Sequence, residues 1–395
     1  MGTKIEPKKR TFLSIILIIL SFVMLTNNNL NAAEKKPLKI GLLLPYTGFD
    51  PRNAPQMESA VRLKLDEIGW SVAGRKIILI TEDEAANPAV GINKATKLVE
   101  QDQVDVILGA LFAHVVVAVS GYAKKAGIPY APIVQQSMTA IRTAPNNVVL
   151  PTGTMRGSTY PAGLYASEKL GYKTASILYS DYLAGQDFIG GFVEGFQKGG
   201  GVIIQRQPVP LGTLDFAPYI TNIKKADVVA FWFAGVMGPF LKQYFEFNIG
   251  IPVVAPTNWT IEIEIMRELG DKALGVIGAG HYSEDLPTPK NREFVEAMKK
   301  RLGGKPPNHY MNSAYVVIST YLEAVKATGG DTSLEKIIKA WRAVKVETPM
   351  GVVSFDKDGC AIGDLYVFKF TKKDGKYFWQ QVETYKQIPM RSPSE

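Results

Sequence analysis

Short apolar runs alternate with amphipathic segments along most of the chain. Residues 38–45 read LKIGLLLP, a nearly unbroken apolar run that ends at proline and is typical of a strand buried on both faces. In the segment that follows, Met57, Ala60, Val61 and Leu65 recur at helical spacing on one face. The alternation continues, with strands predicted at 75–83, 104–109 and 127–134 and helices at 88–101 and 113–125. This order predicts a doubly wound parallel β-sheet.

A second α/β unit begins after residues 146–155, which read NNVVLPTGTM. Its predicted strands are 174–180, 201–209, 227–235, 251–256 and 273–282. Its predicted helices are near 158–170, 185–198, 238–248 and from Thr260 onward, with one short helix before the third strand. Helices at about 291–302, 308–328 and 333–341 follow, and short strands are predicted around 351–370.

Two such units in 395 residues exceed one ordinary domain, so we expect two doubly wound parallel-sheet lobes. No low-complexity linker separates them, which favours a hinge of several strands over a single tether. We assign residues 33–155 and 283–347 to the first lobe, and 156–282 and 348–395 to the second lobe with C-terminal hinge strands. The predicted hinge passages lie near 152–157, 279–286 and 345–352.

The first 32 residues follow a different pattern. Four basic residues, from Lys4 to Arg10, precede an apolar run over 12–25, and small residues follow near Ala32. This is the order of a secretory signal peptide, and the apolar run is short for a membrane anchor, the alternative. The segment holds no cysteine to carry a lipid. We therefore expect the mature chain to be released into a periplasm.

Charge and ligand chemistry narrow the function classes. Removing the signal peptide lowers the net charge from +8 to +5, and no basic stripe indicates nucleic acid. The single cysteine, Cys360, excludes an intrachain disulfide. His114, His281 and His309 lie far apart in the sequence and lack metal-ligand spacing. We expect a monomer without a metal or cofactor.

Catalytic motifs are missing from the sequence. It contains no G-x-S-x-G elbow, no H-E-x-x-H and no G-x-x-x-x-G-K-[ST], and residues 356–359 (DKDG) lack the further ligands of a calcium loop. An exported hydrolase is thus an alternative without an identified nucleophile and base.

Several phrases, in order, resemble the branched-chain amino-acid binding proteins of ABC importers, which are type I periplasmic binding proteins. They are KIGLLLPYTG, AGRKIILITEDEAANPAVGINKATKLVEQDQVDVILGALF, AGIPYAP, NHYMNSAYVVISTYLEAVKATGG and VETPMGVVSFDKDG. The resemblance covers essentially the whole mature chain. It implies two lobes that close on a small solute, delivery to a membrane permease and no catalysis. A ligand-sensing receptor module of the same fold is the alternative function.

The resemblance and the physics of parallel sheets place the ligand at the carboxyl ends of the strands. The first-lobe candidates are Tyr46, Phe112, Ala113, His114, Val134, Gln135 and Gln136. The second-lobe candidates are Tyr182, Ala184, Val236, Asn258, Trp259 and Tyr282. Aromatic side chains at such positions often wall a cleft, although some belong to the core.

Basic candidates are fewer. Arg156 follows a hinge passage and precedes a predicted helix, where its guanidinium could hold a carboxylate or simply form a surface ion pair. Arg52 is a weaker candidate of the same kind. His114 could donate to an anion or merely face solvent.

Departures from the amino-acid binders indicate the ligand class. Those relatives carry small hydroxyl residues at positions that match Ala113 and 133–135, and an acid within 256–260, but this chain has neither. A buried ammonium without a carboxylate partner is costly. An aromatic or other apolar carboxylate, or a neutral amide, is therefore expected instead of an α-amino acid.

Overall fold

The computed structural model describes residues 35–49, 51–259, 261 and 263–395. The predicted signal peptide lies outside these residues. The described strands are β1 Leu38–Leu44, β2 Ser71–Val72, β3 Arg75–Asp83, β4 Val106–Gly109, β5 Tyr130–Ala131, β6 Thr174–Ser180, β7 Val202–Val209, β8 Val228–Trp232, β9 Val253–Val254, β10 Ile277–Gly280, β11 Val346–Thr348, β12 Gly351–Phe355, β13 Ala361–Lys373 and β14 Lys376–Pro389. The fold-class prediction is confirmed: these strands form two sheets, each with a parallel core.

The described helices carry local signals in the sequence. They are α1 Asn53–Glu67, α2 Pro88–Thr96, α3 Ala113–Ala126, α4 Thr139–Thr143, α5 Met155–Glu168, α6 Leu183–Lys198, α7 Ala217–Thr221, α8 Met237–Glu246, α9 Ile263–Leu269, α10 Pro289–Arg301, α11 His309–Ala327 and α12 Leu334–Ala343. The α3 helix ends at Gly127, which takes the left-handed conformation that glycine tolerates. Thr288 caps α10 and Pro289 opens it.

The first sheet has the order β2-β3-β1-β4-β5. Its pairs β1–β3, β1–β4 and β4–β5 are parallel, whereas β2 and β3 form a short antiparallel hairpin. The central strand β1 is almost entirely buried, as its apolar run predicts. The predicted strand over 127–134 is shorter in the structure, because only Tyr130 and Ala131 pair with β4.

The second sheet has the order β11-β12-β13-β10-β9-β8-β6-β7, and β14 pairs with β13. Its parallel part runs from β10 to β7, and the remaining strands are antiparallel. The prediction of only short strands at the C-terminus was wrong: β13 and β14 have 13 and 14 residues. Asp374 and Gly375 both have positive φ, which is the two-residue turn typical of a tight hairpin.

The chain passes between the two sheets three times. It leaves the first lobe after Val148, returns between β10 and α10, and leaves again between α12 and β11. In the second passage one amide group, Nδ2 of Asn291, donates to the carbonyls of Ser283, Glu284 and Leu286 at 3.3, 2.9 and 3.0 Å. The residue boundaries of the two lobes and of the hinge passages stay predictions.

A C-terminal segment crosses the first passage. The carbonyl of Met390 accepts from Thr154 N–H at 2.7 Å, and its backbone lies directly against Gly157. Arg391 pairs with Asp356 at 3.1 Å and Asp358 at 3.0 Å. The hinge is therefore a layered contact between distant parts of the chain.

Candidate functional site

The two lobes meet where their parallel strands end. Phe49, after β1, lies close enough to Gly235, after β8, that a Cβ on the glycine would be 3.6 Å from the ring Cζ. Gln135, after β5, contacts His281, after β10, at 2.6 Å. Residues at the carboxyl ends of both sheets thus face one another across an inter-lobe crevice.

Three helices start at this crevice without a side-chain cap. Their N-cap residues, Phe112 for α3, Tyr182 for α6 and Val236 for α8, make no capping hydrogen bond. By contrast, Thr154 caps α5 and Asn308 caps α11 through their side chains. The uncapped helices leave first-turn N–H groups and the positive ends of their dipoles available to an anion.

The first-lobe wall is largely apolar. Phe112 is half-buried and packs edge to face against Phe49, with ring centroids 5.7 Å apart. Tyr46 is half-buried, and its hydroxyl donates to Oε2 of Glu58 at 2.5 Å. His114 lies at the exposed rim, where Nε2 is 3.1 Å from the carbonyl oxygen of Ala86.

Behind this wall the side chains are fully buried. Gln136 donates from Nε2 to the Leu111 carbonyl at 2.8 Å, and its Oε1 has no hydrogen-bond partner among the described residues. Glu84 accepts from Leu111 N–H at 3.3 Å, and burial raises the pKa of its carboxyl to about 7. Ala113 and Val134 are 5% and 6% exposed, so they can offer little more than backbone atoms to the crevice.

The second-lobe wall is a row of aromatic rings. Phe188 stacks on Trp232 at 4.5 Å and meets Trp259 edge to face at 5.8 Å. Tyr182 lies 6.2 Å from Trp232, and Ala184 is buried in the first turn of α6 beside it. Aromatic pairs in such offset and edge-to-face geometries stabilise one another beyond their simple area of contact.

The row ends at residues 256–259, which extend β9 along β10. Asn258 N–H donates to the Ala279 carbonyl at 3.0 Å, and its Nδ2 donates to the Tyr282 carbonyl at 3.2 Å. A Cβ on Gly280 would lie 2.6 Å from Oδ1 of Asn258. Glycine at 280 therefore lets the segment approach closely enough to present Trp259 to the first lobe.

Gln135 joins two histidines under this tryptophan. Its Nε2 lies 2.6 Å from Nδ1 of His281, and its Oε1 lies 3.0 Å from Nε2 of His309. The two imidazole centroids are 4.6 Å apart, and Trp259 stacks on His309 at 4.0 Å. Gln135, more than 100 positions from either histidine in the sequence, joins them into one polar cluster at the base of the crevice.

The chain matches the periplasmic binding protein family over residues 37–376. The chain belongs to this family. The sequence-based resemblance to type I periplasmic binding proteins is thereby confirmed, and the inter-lobe crevice corresponds to the place where parallel-sheet lobes hold a solute.

Solved structures of other periplasmic binding proteins share the fold. A solute-binding protein of an ABC transporter from Rhodopseudomonas palustris BisB5, in complex with 3,4-dihydroxybenzoic acid, is 31% identical with a TM-score of 0.82. The match covers 91% of this chain and 99% of that one. An ABC transporter substrate-binding protein from Sphaerobacter thermophilus is 28% identical with a TM-score of 0.84, covering 90% and 99% of the two chains.

A curated relative shares the sequence over a similar length. The Leu/Ile/Val-binding protein homolog 6 of Brucella abortus (strain 2308) is 26% identical over 366 residues, which cover 90% of this chain and 93% of the relative. These relatives are named as binding proteins, and two of them are named as proteins of ABC transporters.

Some predicted site residues have other partners in this binding protein. Arg156 falls within the first turn of α5 and not before a helix, and its guanidinium pairs with Glu194 at 3.4 Å and Asp187 at 3.9 Å. The guanidinium that was predicted to bind a ligand carboxylate is thus paired with two acidic residues of α6. Tyr282 is 2% exposed and packs edge to face against Phe294 of α10. Arg52 is exposed on the loop before α1 and has an interaction of its own.

Five further residues belong to the candidate site although the sequence did not predict them there: His281, His309, Trp232, Phe188 and Phe49. Trp232 and His281 carried a usable signal, because each is at or just after the end of a strand. His309 carried no such signal, because it lies at the start of a helix of the first lobe and does not follow a strand. The start of that helix was predicted one residue earlier.

Other features of the binding protein lie away from the crevice. Surface cavities of about 390 and 420 Å³ lie beside Glu194 and beside Asp364. In the described part of the chain, no three side chains of the usual metal-binding types gather into a cluster. None of the described helices combines the length and apolarity needed to traverse a bilayer.

Proposed function

We propose that this protein captures an aromatic carboxylate between its lobes and delivers it to the permease of an ABC importer. The observation that carries the proposal is the row of rings formed by Tyr182, Trp232, Phe188 and Trp259 on the second lobe. A flat aromatic ligand can stack in such a slot and bury its apolar faces. The uncapped starts of α3, α6 and α8 supply N–H donors for its carboxylate.

An α-amino acid fits this crevice poorly. Its ammonium group would need a fixed negative charge, and the segment that carries an acid in amino-acid binders holds Asn258 and Trp259 here. Glu84 lies beside the Leu111 loop, but burial raises the pKa of its carboxyl to about 7, which disfavours the charged form. Ala113 provides no hydroxyl at the start of α3.

Known relatives support the ligand class. The Rhodopseudomonas palustris BisB5 protein binds 3,4-dihydroxybenzoic acid, and a second R. palustris solute-binding protein, 25% identical with a TM-score of 0.81, binds 4-hydroxybenzoate. We extend that class of ligand to this chain. We also propose export by the N-terminal signal peptide, release as a monomer into the periplasm, and a transport rather than a sensing role.

Closure of the lobes is the proposed mechanism of capture. A ligand held by both walls binds the closed form more tightly than the open form, and it shifts the equilibrium by that difference in affinity. The closed form then presents both lobes to the permease in a fixed relative position.

Thermal-shift and calorimetric titration of the purified exported chain test this function. The panel pairs benzoate, 4-hydroxybenzoate and 3,4-dihydroxybenzoate with leucine, isoleucine and hexanoate. A ligand at 100 times its Kd stabilises the folded state by about 2.7 kcal/mol, which a melting curve resolves. Binding of at least one aromatic acid is expected. Tight binding of leucine with no response to the aromatic acids would contradict the proposal.

A further inference from the structure

The histidine pair at the base of the crevice presents a fixed hydrogen-bonding pattern. In the observed arrangement Gln135 donates from Nε2 to Nδ1 of His281 and accepts at Oε1 from Nε2 of His309. One amide therefore sets both tautomers, because a neutral imidazole has one donor and one acceptor nitrogen. His281 is left with a donor at Nε2, and His309 is left with an acceptor at Nδ1.

Both remaining nitrogens are buried and unsatisfied. Neither His281 Nε2 nor His309 Nδ1 has a hydrogen-bond partner among the described residues, and the two side chains are at most 3% exposed. Since each imidazole uses its other nitrogen for Gln135, the two orphaned atoms point away from that amide. A buried polar group without a partner is costly, so its occurrence in a folded protein calls for an explanation.

Two more orphaned atoms lie on the neighbouring residues. The Nε1 donor of Trp259 and the Oδ1 acceptor of Asn258 also lack partners within the described chain. Trp259 stacks directly on His309, and Asn258 precedes it on the segment beside β10. The cluster thus offers both donors and acceptors, a pattern that matches a hydroxyl group and not a carboxylate, which can only accept.

The cluster carries no charge. Burial lowers the pKa of His281 to about 3 and holds the pKa of His309 well below its ordinary value, with a smaller contribution from His281. His309 also begins α11, where the positive end of the helix dipole disfavours an imidazolium. A neutral polar cluster gives a carboxylate less electrostatic stabilisation than the positive ends of the helix dipoles, so the ligand carboxylate is expected at the helix starts.

We propose that the His281–Gln135–His309 cluster reads a ring hydroxyl of the ligand, so that the protein prefers hydroxylated aromatic acids to unsubstituted ones. His281 Nε2 donates to the hydroxyl oxygen, and His309 Nδ1 accepts its proton in a hydrogen bond. The inference rests on the proposed function, because it identifies the residues that bind the same aromatic ligand at the end opposite its carboxylate.

Calorimetric titration of the exported chain with benzoate, 3-hydroxybenzoate, 4-hydroxybenzoate and 4-methylbenzoate tests the assignment. The methyl group matches the hydroxyl in size but can neither donate nor accept. A site that pairs with a hydroxyl rejects the analogue that leaves its polar atoms unpaired. We expect one of the two hydroxybenzoates to bind at least about tenfold more tightly than benzoate and 4-methylbenzoate.

Two variants then locate the effect. His281→Phe removes the donor, and His309→Phe removes the acceptor while it retains a ring to stack on Trp259. Each should bring the hydroxybenzoate-to-benzoate affinity ratio close to one without abolishing benzoate binding. Tyr321→Phe removes a buried hydroxyl of the same helix α11 that has no hydrogen-bond partner among the described residues; it is the matched control and should keep the wild-type ratio.

The outcomes separate the two proposals. Equal affinity of the wild type for benzoate and both hydroxybenzoates, or a ratio that survives in both histidine variants, overturns the hydroxyl assignment but leaves the aromatic-acid function standing. Failure of every aromatic acid to bind the wild type overturns both. Melting curves of each variant confirm that it is folded, and Gln135→Met provides a second test if either phenylalanine variant fails to fold.

Discussion

The indole of Trp259 lies face to face with the imidazole of His309, with ring centroids 4.0 Å apart and 5° between the planes. The tryptophan belongs to the second lobe and the histidine begins a helix of the first. This stack is therefore one of the contacts that hold the lobes together in the observed conformation.

Removal of the indole should weaken ligand capture. Trp259→Ala abolishes the stack on His309 and opens one end of the aromatic row, so the closed form loses stability relative to the open form. A stacked pair contributes about 0.5–1.5 kcal/mol beyond its buried area, and 1.4 kcal/mol corresponds to tenfold in affinity. We expect the Kd for the best aromatic acid to rise by about tenfold or more in calorimetry.

Trp70→Ala is the control for this change. Trp70 follows α1 on the first lobe, directly precedes the β2–β3 hairpin and donates from Nε1 to Asp66 at 2.7 Å. Its loss should leave the Kd unchanged. An equal loss of affinity in both variants would show that the effect of Trp259 is not local.

The buried histidines should make the protein less stable in acid. His281 stays neutral down to a pKa of about 3 when folded, whereas the unfolded chain takes up its proton near pH 6.5. The unfolded state therefore binds more protons between these values, and the free energy of unfolding falls as the pH falls below 6.5. The slope is about 1.4 kcal/mol per pH unit for this residue.

Urea denaturation at pH 7 and pH 5 measures that dependence. The wild type should lose about 2 kcal/mol over this interval through His281, together with a contribution of the same sign from His309. His281→Phe should show a correspondingly smaller loss. An unchanged difference between the two pH values in the variant would contradict the assignment of a neutral, buried His281.

Glu84 should act in the opposite direction. Burial raises the pKa of its carboxyl to about 7, above the ordinary value of 4.5, so the folded state retains a proton that the unfolded state releases. The unfolding free energy therefore decreases as the pH rises from about 4.5 to 7, and the full cost is present above pH 7. Glu84→Gln removes this ionisation.

We expect Glu84→Gln to raise the unfolding free energy at pH 8 by about 3 kcal/mol and to have little effect near pH 4.5. The amide oxygen can still accept from Leu111 N–H, which Glu84 bonds at 3.3 Å. Glu268→Gln, at an exposed ion pair with Lys242, is the control and should change stability by less than about 1 kcal/mol at either pH. Equal effects of Glu84→Gln at both pH values would contradict the raised pKa.

The hinge should be sensitive to one added methyl group. A Cβ on Gly157 would lie 2.3 Å from the Met390 carbonyl oxygen and 2.5 Å from Cα of Arg391, so the C-terminal segment must move. Gly157→Ala should lower the unfolding free energy by about 1–3 kcal/mol in urea denaturation. Gly121→Ala, in the interior of α3 with its nearest neighbour 4.0 Å away, should instead be neutral or stabilising by up to about 1 kcal/mol. The reverse ranking would mean that the C-terminal segment is not packed against Gly157.

The alternation of apolar runs and amphipathic segments determined most of the secondary structure in advance. It did so because strands buried on both faces and one-sided helices have distinct periods, as the agreement for β1, β6 and α11 illustrates. The boundaries of β9 and β10 were predicted too long, since an apolar residue after a strand can serve the crevice or the core equally well.

The candidate site was only partly accessible from the sequence. Phe112, Gln135, Tyr182 and Trp259 could be selected because residues after parallel strands must face the same edge of a sheet. Arg156 could not be excluded, because its partners Asp187 and Glu194 lie on a helix that packs beside it only in three dimensions.

The sequence by itself determined the two α/β units, the family and the lack of an acid at 256–260. Only the tertiary structure decided that the ring centroids of His281 and His309 lie 4.6 Å apart and that Gln135 bonds to both rings. No spacing in the sequence links the two histidines. The physical reason is that the contacts between the lobes depend on which strand ends and helix starts pack against each other in three dimensions. Local periodicity in the sequence carries no information about these contacts, and the chemistry of the crevice depends on them.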